Sequence, residues 1–400
     1  VNITASRYRN GFNGNNAGFK FLVQNFITDY SVKANFEWFT TNELTLKFGA
    51  EYTNYRFQFQ QNFGSDTIVS TPNNQNGQTN LLIFDQTYVL YGQANYQLSN
   101  VLSAQFGGRA YSLQLARTTL FEPRLSMRWQ ADDNIAVKLS TGIYYQYLRL
   151  ASNPDFTFFD TWLPTDSSVK PLRAIHYIAS VETKPFENWD LNVDVYYKDL
   201  TNINELNQFN TRSDNVANVF FSGKGQAYGA EIFLQKKTGR LTGWVGYALG
   251  WVWAQYDSIS RGARFNPRYD RRHDFKIVAQ YQLSDTWEMG ASFTLQSGQP
   301  FTGASSRFQT RLPGETAGAG VTIPTGYNAL RLPISHQLNI NFNYNTTVFG
   351  LPARLLIDIY NVYSRRDIWF RYYDTSQDVT KVTDVRLLPI IPTIALEVKF

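Results

Sequence analysis

"QLNINFNYN", residues 337–345, sets asparagine at every second position: Asn339, Asn341, Asn343 and Asn345. Leu338, Ile340, Phe342 and Tyr344 fall between them. A period of two puts successive side chains on opposite faces of a β-strand, a pattern no helix sustains. One face is apolar and the other is amide. Leaving Ile340 and Phe342 in water would forfeit about 1.5–3 kcal/mol each. The rest of the chain must therefore show what covers that face.

The same alternation runs from end to end. "WDLNVDVYYK" (189–198) sets Trp189, Leu191, Val193, Val195 and Tyr197 against Asp190, Asn192, Asp194 and Lys198. "FKIVAQYQL" (275–283) and "IALEVKF" (394–400) do likewise. The template predicts sixteen strands, at 1–8, 22–39, 43–60, 81–98, 101–115, 119–131, 134–148, 172–185, 188–202, 224–237, 240–256, 269–284, 286–297, 329–347, 350–363 and 383–400. Most exceed the roughly 5–6 residues of a globular strand and suit the roughly 9–11 that cross a bilayer at a tilt.

Connections alternate between short and long. "LSNV" (98–101), "ADDN" (131–134), "KTGR" (237–240) and "LSDTW" (283–287) are tight, whereas 61–80, 149–171, 203–223, 257–268, 298–328 and 364–382 are extended. The link 116–118 is short where the rhythm asks for a long one. Tight turns on the periplasmic side and extended loops outside are the pattern of outer-membrane barrels. A soluble two-sheet protein is the competing reading of the alternation alone. The strand lengths and the turn rhythm favour lipid against Ile340 and Phe342, with water against the asparagines.

Composition agrees. Aromatic residues are 16% of the chain and charged residues 17%, below the roughly 25% of soluble domains. A net charge of +5, with lysine and arginine scattered, implies no nucleic-acid partner. There is no cysteine, hence no disulfide and no thiolate metal site. No run of 18 apolar residues predicts a membrane helix; "LTGWVGYALGWVWAQY" (241–256) reads as a strand. Val1 opens directly into strand-like sequence with no signal-peptide pattern.

Catalysis finds little support. His176, His273 and His336 lie far apart without metal-ligand spacing, and no phosphate loop or nucleophile elbow occurs. The sequence therefore predicts no enzyme, no cofactor and no metal site. Three clusters are candidates for ligand contact from loops. "RFNPRYDRRHD" (264–274) offers Arg268, Tyr269, Arg271 and Arg272 to an anionic ligand. Its interleaved Asp270 and Asp274 equally allow an ion-pair staple at the rim. "FTFFDTWLP" (156–164) offers Phe158, Phe159 and Trp162 for stacking, or for packing and an interfacial aromatic girdle. "IWFRYYD" (368–374) poses the same choice for Trp369, Arg371 and Tyr372.

Several stretches resemble the C-terminal barrel of TonB-dependent outer-membrane receptors, particularly those of Bacteroidota-like bacteria. They are "FEPRLSMRW" (121–129), "GKGQAYGAEIFLQKKTGRLTGWVGYALG" (223–250), "FNPRYDRRHDFKIVAQYQLSDTWEMGASFTLQSGQPFT" (265–302), "DIYNVYSRRDIWF" (358–370) and "LLPIIPTIALEVKF" (387–400). The resemblance implies one β-barrel domain over 1–400, the C-terminal portion of a plugged barrel of about 22 strands. It implies import of a scarce nutrient: siderophore, oligosaccharide, peptide or vitamin complex. It implies as partners outer-membrane lipid, the small nutrient, the barrel-assembly machinery, a surface lipoprotein, and the TonB energy-coupling complex through a plug that this sequence does not show. A terminal Phe400 closing an alternating strand resembles the family's assembly signal. The sixteen-strand count alone also fits a plugless passive porin, and long loops fit a surface-binding adhesin.

Overall fold

The computed structural model describes residues 1–16, 19–65, 78–151, 161–207, 220–310, 319–375 and 379–400. The architecture is all-β; among the described residues the only helical element is a single 3-10 turn, Ser260–Gly262. Sixteen strands form one sheet in chain order, from Asn2–Asn16 to Ile391–Val398, each hydrogen-bonded to its neighbours in sequence. All sixteen predicted strands are present. No helix of the described residues is long and apolar enough to cross a membrane.

The chain divides into two compact units. One comprises Val1–Trp129, Leu139–Tyr177 and Lys198–Gly225, the other Gln130–Lys138, Ile178–Tyr197 and Gln226–Phe400.

The register of the second unit explains the opening stretch. It lies in the strand Ser335–Val348. Phe342 faces Met289 on one side and Ile357 on the other, and the row continues to Tyr281 and Ile394. Ile340 belongs to the parallel row of Ala279, Ala291, Ile359 and Pro392. Trp287 stacks on Tyr344 at 4.7 Å. This apolar face stays uncovered: Ile394 is 72% exposed and Leu396 56%. The opposite face is hydrogen-bonded. Asn339 Nδ2 donates to Ser292 Oγ at 3.2 Å, Arg354 pairs with Glu288 at 3.2 Å, and Gln296 Nε2 donates to Asp274 at 2.9 Å. Gly290 sits opposite Asn341, where a Cβ would lie 1.9 Å from the amide oxygen, so glycine makes room for the asparagine.

The first unit repeats the arrangement. Phe36 and Phe48 stack at 5.5 Å on a face where Trp38, Leu90, Phe106 and Phe121 are also exposed. On the other face Glu51 pairs with Arg109 at 3.2 Å and Lys33 at 3.6 Å. In each unit, exposed apolar residues on one face and paired polar groups on the other reverse the soluble pattern and match a sheet solvated by lipid on one side.

Short connections are built as hairpin turns. Phe349 and Gly350 both have positive φ, 53° and 77°, the backbone sense of a two-residue turn whose twist matches the strands. The short link after Leu113 holds, with Arg117 at φ 48° closing it.

The long connections, read from sequence as extended loops, hold short strands of their own. Eight short strands form four two-stranded side sheets in and beside them: Leu148–Ala151 with Thr161–Pro164; Pro300–Phe301 with Leu330–Arg331; enclosed by that pair, Ala304–Thr310 with Ala319–Pro324; and Ile368–Asp374 with Lys381–Arg386. Strand starts also shift. The predicted 269–284 begins at His273 because Asp270 anchors a loop. The predicted 383–400 splits, its main-sheet part being Ile391–Val398 after Leu387–Ile390, whose proline lacks a donor for a ladder.

Candidate functional site

Three long connections of the second unit, 256–272, 297–334 and 361–390, are tied together by polar contacts. The centre is Asp270, which has no solvent exposure. One carboxylate oxygen accepts the backbone N–H of Val252 at 2.9 Å. The other pairs with Arg331, and Arg272 stands 3.6 Å away. Arg331 also donates to the carbonyls of Asp270 at 2.9 Å and Gly298 at 3.1 Å. A carboxylate removed from water needs this many donors to remain charged. Arg272 lays its guanidinium over the Trp251 ring, 5.1 Å from its centre.

Arg271 points the other way. It donates to the Ser297 carbonyl at 3.2 Å and to Gln299 Oε1 at 3.3 Å, and burial lowers its pKa from the usual arginine value. Gln299 Nε2 in turn donates to the carbonyl of Trp369 at 3.4 Å. A second tie is aromatic: Phe265 meets Tyr327 edge-on at 4.9 Å and stacks on Tyr256 at 5.9 Å. Asn361, 1% exposed, links the loops to the opening strand. Its N–H donates to Asn339 Oδ1 at 2.9 Å, and its side chain donates to the carbonyls of Arg365 at 2.8 Å and Leu388 at 3.0 Å.

Arg371 faces Asp384 across its side hairpin and holds it through two bonds, 2.6 and 3.1 Å. Hydrogen bonding to Arg371 depresses the Asp384 pKa, and the same bond raises that of Arg371. The hairpin therefore gains its full stabilisation above the ordinary aspartate range and loses it as pH falls through the depressed value. Amide protection across 368–374 and 381–386, taken relative to the intrinsic exchange rate at each pH, is expected to fall in acid, and Arg371→Gln to remove that pH dependence. Equal acid sensitivity in both proteins would show that the pair is not its source.

The structure thus brings Arg271, Arg272, Trp369 and the Asp270 centre into one network, and Arg371 sits 6.0 Å from the ring centre of Phe301 beside it. Arg271, Arg272 and Arg371 are engaged with loop partners, the staple arrangement that interleaved charges allow. Tyr269 and Tyr372 are exposed, and Arg268 is partly so. Phe400 lies beyond the end of its strand at Val398 and is fully exposed.

In the first unit Trp162 is half-buried in the side hairpin, opposite Leu150. Phe158 and Phe159 lie outside the described residues. Next to Leu150, Arg149 is 2% exposed and donates to Thr165 at 3.3 Å, to Asn204 and to the Lys170 carbonyl. Burial brings its pKa down to about 10. Sequence reasoning singled out none of Arg149, Gln299, Arg331 and Asn361. Their partners lie 16 to 70 residues away apart from Arg365, and no local pattern marks them. Among the described residues no group of acidic, histidine or cysteine side chains is placed to hold a metal ion.

Comparison with known proteins fits this geometry. The family model for the TonB dependent receptor-like β-barrel matches residues 2–362. No curated protein matches the chain. Among solved structures, the ferric yersiniabactin uptake receptor FyuA from Yersinia pestis aligns with a TM-score of 0.67 at 12% identity, covering 97% of this chain and 56% of that one. The ferric citrate transporter FecA aligns at 0.59 and 10% identity, covering 96% and 56%. The ferric-catecholate import receptor Fiu from K12 E. coli aligns at 0.58 and 13%, covering 99% and 60%. At these identities the likeness speaks for the fold, and the chain spans between half and three fifths of each of these solved proteins. The match and these receptor and transporter neighbours place the chain in the bacterial outer membrane. With its family model matched over nearly its whole length, the chain belongs to the TonB-dependent receptor β-barrel family.

Proposed function

We propose that this chain supplies the barrel and ligand-capturing loops of an energy-coupled importer of a scarce nutrient. The observation that carries the reading is the interlocked loop cluster around Asp270, set at the end of a family-matched sheet. A rigid loop surface lowers the ordering cost of capture. Tyr269, Tyr372 and Trp369 on that surface suit a bulky ligand with flat or apolar faces, since aromatic side chains give large contact area with a polar handle. Ferric chelates are the first class to test, because the solved neighbours carry such names; oligosaccharides, peptides and vitamin complexes follow. Transport requires the TonB complex acting through a plug, and a surface lipoprotein is a candidate co-receptor. Phe400 serves in this reading as the signal to the barrel-assembly machinery. The porin and adhesin readings gain nothing from the family match.

The test is titration of the detergent-solubilised protein with ferric siderophores, oligosaccharides, peptides and corrinoids, followed by intrinsic fluorescence. One class should bind, and the double variant Tyr269→Ala/Tyr372→Ala should weaken it by about tenfold or more, corresponding to about 1.4 kcal/mol. Unchanged affinity in that variant would remove the loop cluster from capture.

A further inference from the structure

We propose that the side hairpin of the first unit, Leu148–Ala151 with Thr161–Pro164, is a strap latched by Arg149 across the polar face of the sheet and poised to lift from it. The inference starts from three apolar residues on the wet side. Val89 lies opposite Glu51 and Tyr111, Leu113 lies opposite Thr87, and Phe57 stands six residues from Glu51 in the same strand. All three therefore share the face on which Glu51 pairs with Arg109. Yet Phe57 is 2% exposed, Val89 3% and Leu113 1%. A surface that would otherwise meet water is covered.

The chain's own hairpin reaches that surface. It leaves the strand Ile135–Gln146 and returns over the intervening strands until Thr161–Pro164 comes alongside Leu44–Ser65. At its base Tyr147 sets its ring 6.1 Å from that of Tyr111 and its hydroxyl 3.4 Å from that of Tyr55. Those two tyrosines flank the apolar strip, Tyr111 opposite Val89 and Tyr55 two residues from Phe57. Leu163 and Pro164 of the hairpin are buried in turn.

Arg149 holds the base. Its Nε donates to Thr165 Oγ1 at 3.3 Å, its terminal nitrogens donate to Asn204 Oδ1 and the Lys170 carbonyl, and its guanidinium lies 5.9 Å from the centre of the Phe220 ring. Thr165 closes the hairpin by donating its N–H and its hydroxyl to the Tyr147 carbonyl, both at 2.7 Å. Asn202, at φ 57°, kinks the strand Trp189–Leu206 two residues before Asn204, and its side chain donates to the Pro171 carbonyl at 3.1 Å. A kink of this kind at a strand end re-aims the side chains beside it. Every acceptor of Arg149 is neutral. Asp270 and Asp384 hold their arginines by charge, and parting such a buried pair strands an ion. Parting Arg149 from a hydroxyl, an amide and a carbonyl strands none, since water can replace each bond. The covered face also resists closure. Thr87, beside Leu113, is 1% exposed, and its Oγ1 has no hydrogen-bond partner among the described residues. Lifting the hairpin would let water satisfy it. A neutral latch over an unmet hydroxyl suits a contact that opens, whereas a permanent staple would use charge.

Cysteine accessibility tests the strap, because the sequence has no cysteine of its own. Val89→Cys in the folded, reconstituted protein should react slowly with a charged, water-soluble maleimide. Adding Arg149→Gln should accelerate labelling by about tenfold or more, as local opening becomes easier. Adding Thr87→Val instead, which removes the unmet hydroxyl, should slow it. Ser126→Cys reports on the same face away from the strap, where Ser126 meets Ser140, and should label at one rate in all three backgrounds. Heat-modifiable migration identifies the folded fraction of each variant. Unchanged labelling of Val89→Cys on adding Arg149→Gln would overturn the latch. Labelling not slowed by Thr87→Val would overturn the poise. Equal acceleration at Ser126→Cys would mean a general loosening of the sheet in place of a lifting strap.

Discussion

Ile340→Arg is expected to destabilise the protein by about 2–4 kcal/mol, the cost of a cation on the lipid face near the midplane of an outer-membrane barrel. Ile340 lies between Ala291 and Ile359 in an apolar row without a polar partner. Asn341→Arg, one residue on, is expected to change stability by less than about 1 kcal/mol. It points to the opposite face, and its register partner there is Asp358, which can accept the new charge. Urea midpoints in lipid vesicles compare the two. Equal damage from both would mean that both faces are dry, which the account does not allow.

Asp270→Ala should cost about 3 kcal/mol locally, the low end for breaking a buried ion pair, because Arg331 keeps about a third of its surface in water. The loss is expected in the loops and not in the sheet. Val252 would lose its acceptor and Arg331 its counter-charge, so 256–272 and 297–310 should become accessible to protease while the strands remain resistant. Asp270→Asn keeps an oxygen for Val252 but not the charge, and should fall between the two. Loops that stay protected in Asp270→Ala would show that the aromatic contacts of Phe265 suffice to hold them.

The strands were readable because period-two alternation survives any tertiary context in which one face meets lipid and the other water. "QLNINFNYN" carries that signal in nine residues, and the observed register obeys it. The loop cluster was only half readable. Asp270 and its flanking arginines are adjacent in sequence, so a staple was foreseeable; that its main partner is Arg331, 61 residues on, was not. Gln299 and Asn361 are ordinary amides until the fold delivers a carbonyl to each. The side hairpins were missed because strands of two to seven residues are too short to show a period.

The central claim is that successive residues of this sheet alternate between lipid and water. The absence of native cysteine permits a direct test by single-cysteine substitution along 338–345, each labelled with a nitroxide in reconstituted vesicles. Collision rates with oxygen, which concentrates in lipid, should peak at 338, 340, 342 and 344. Rates with a water-soluble nickel chelate should peak at 339 and 341, and be damped at the buried Asn343. Two accessibility profiles that rise and fall together, or that show no period of two, would contradict the account.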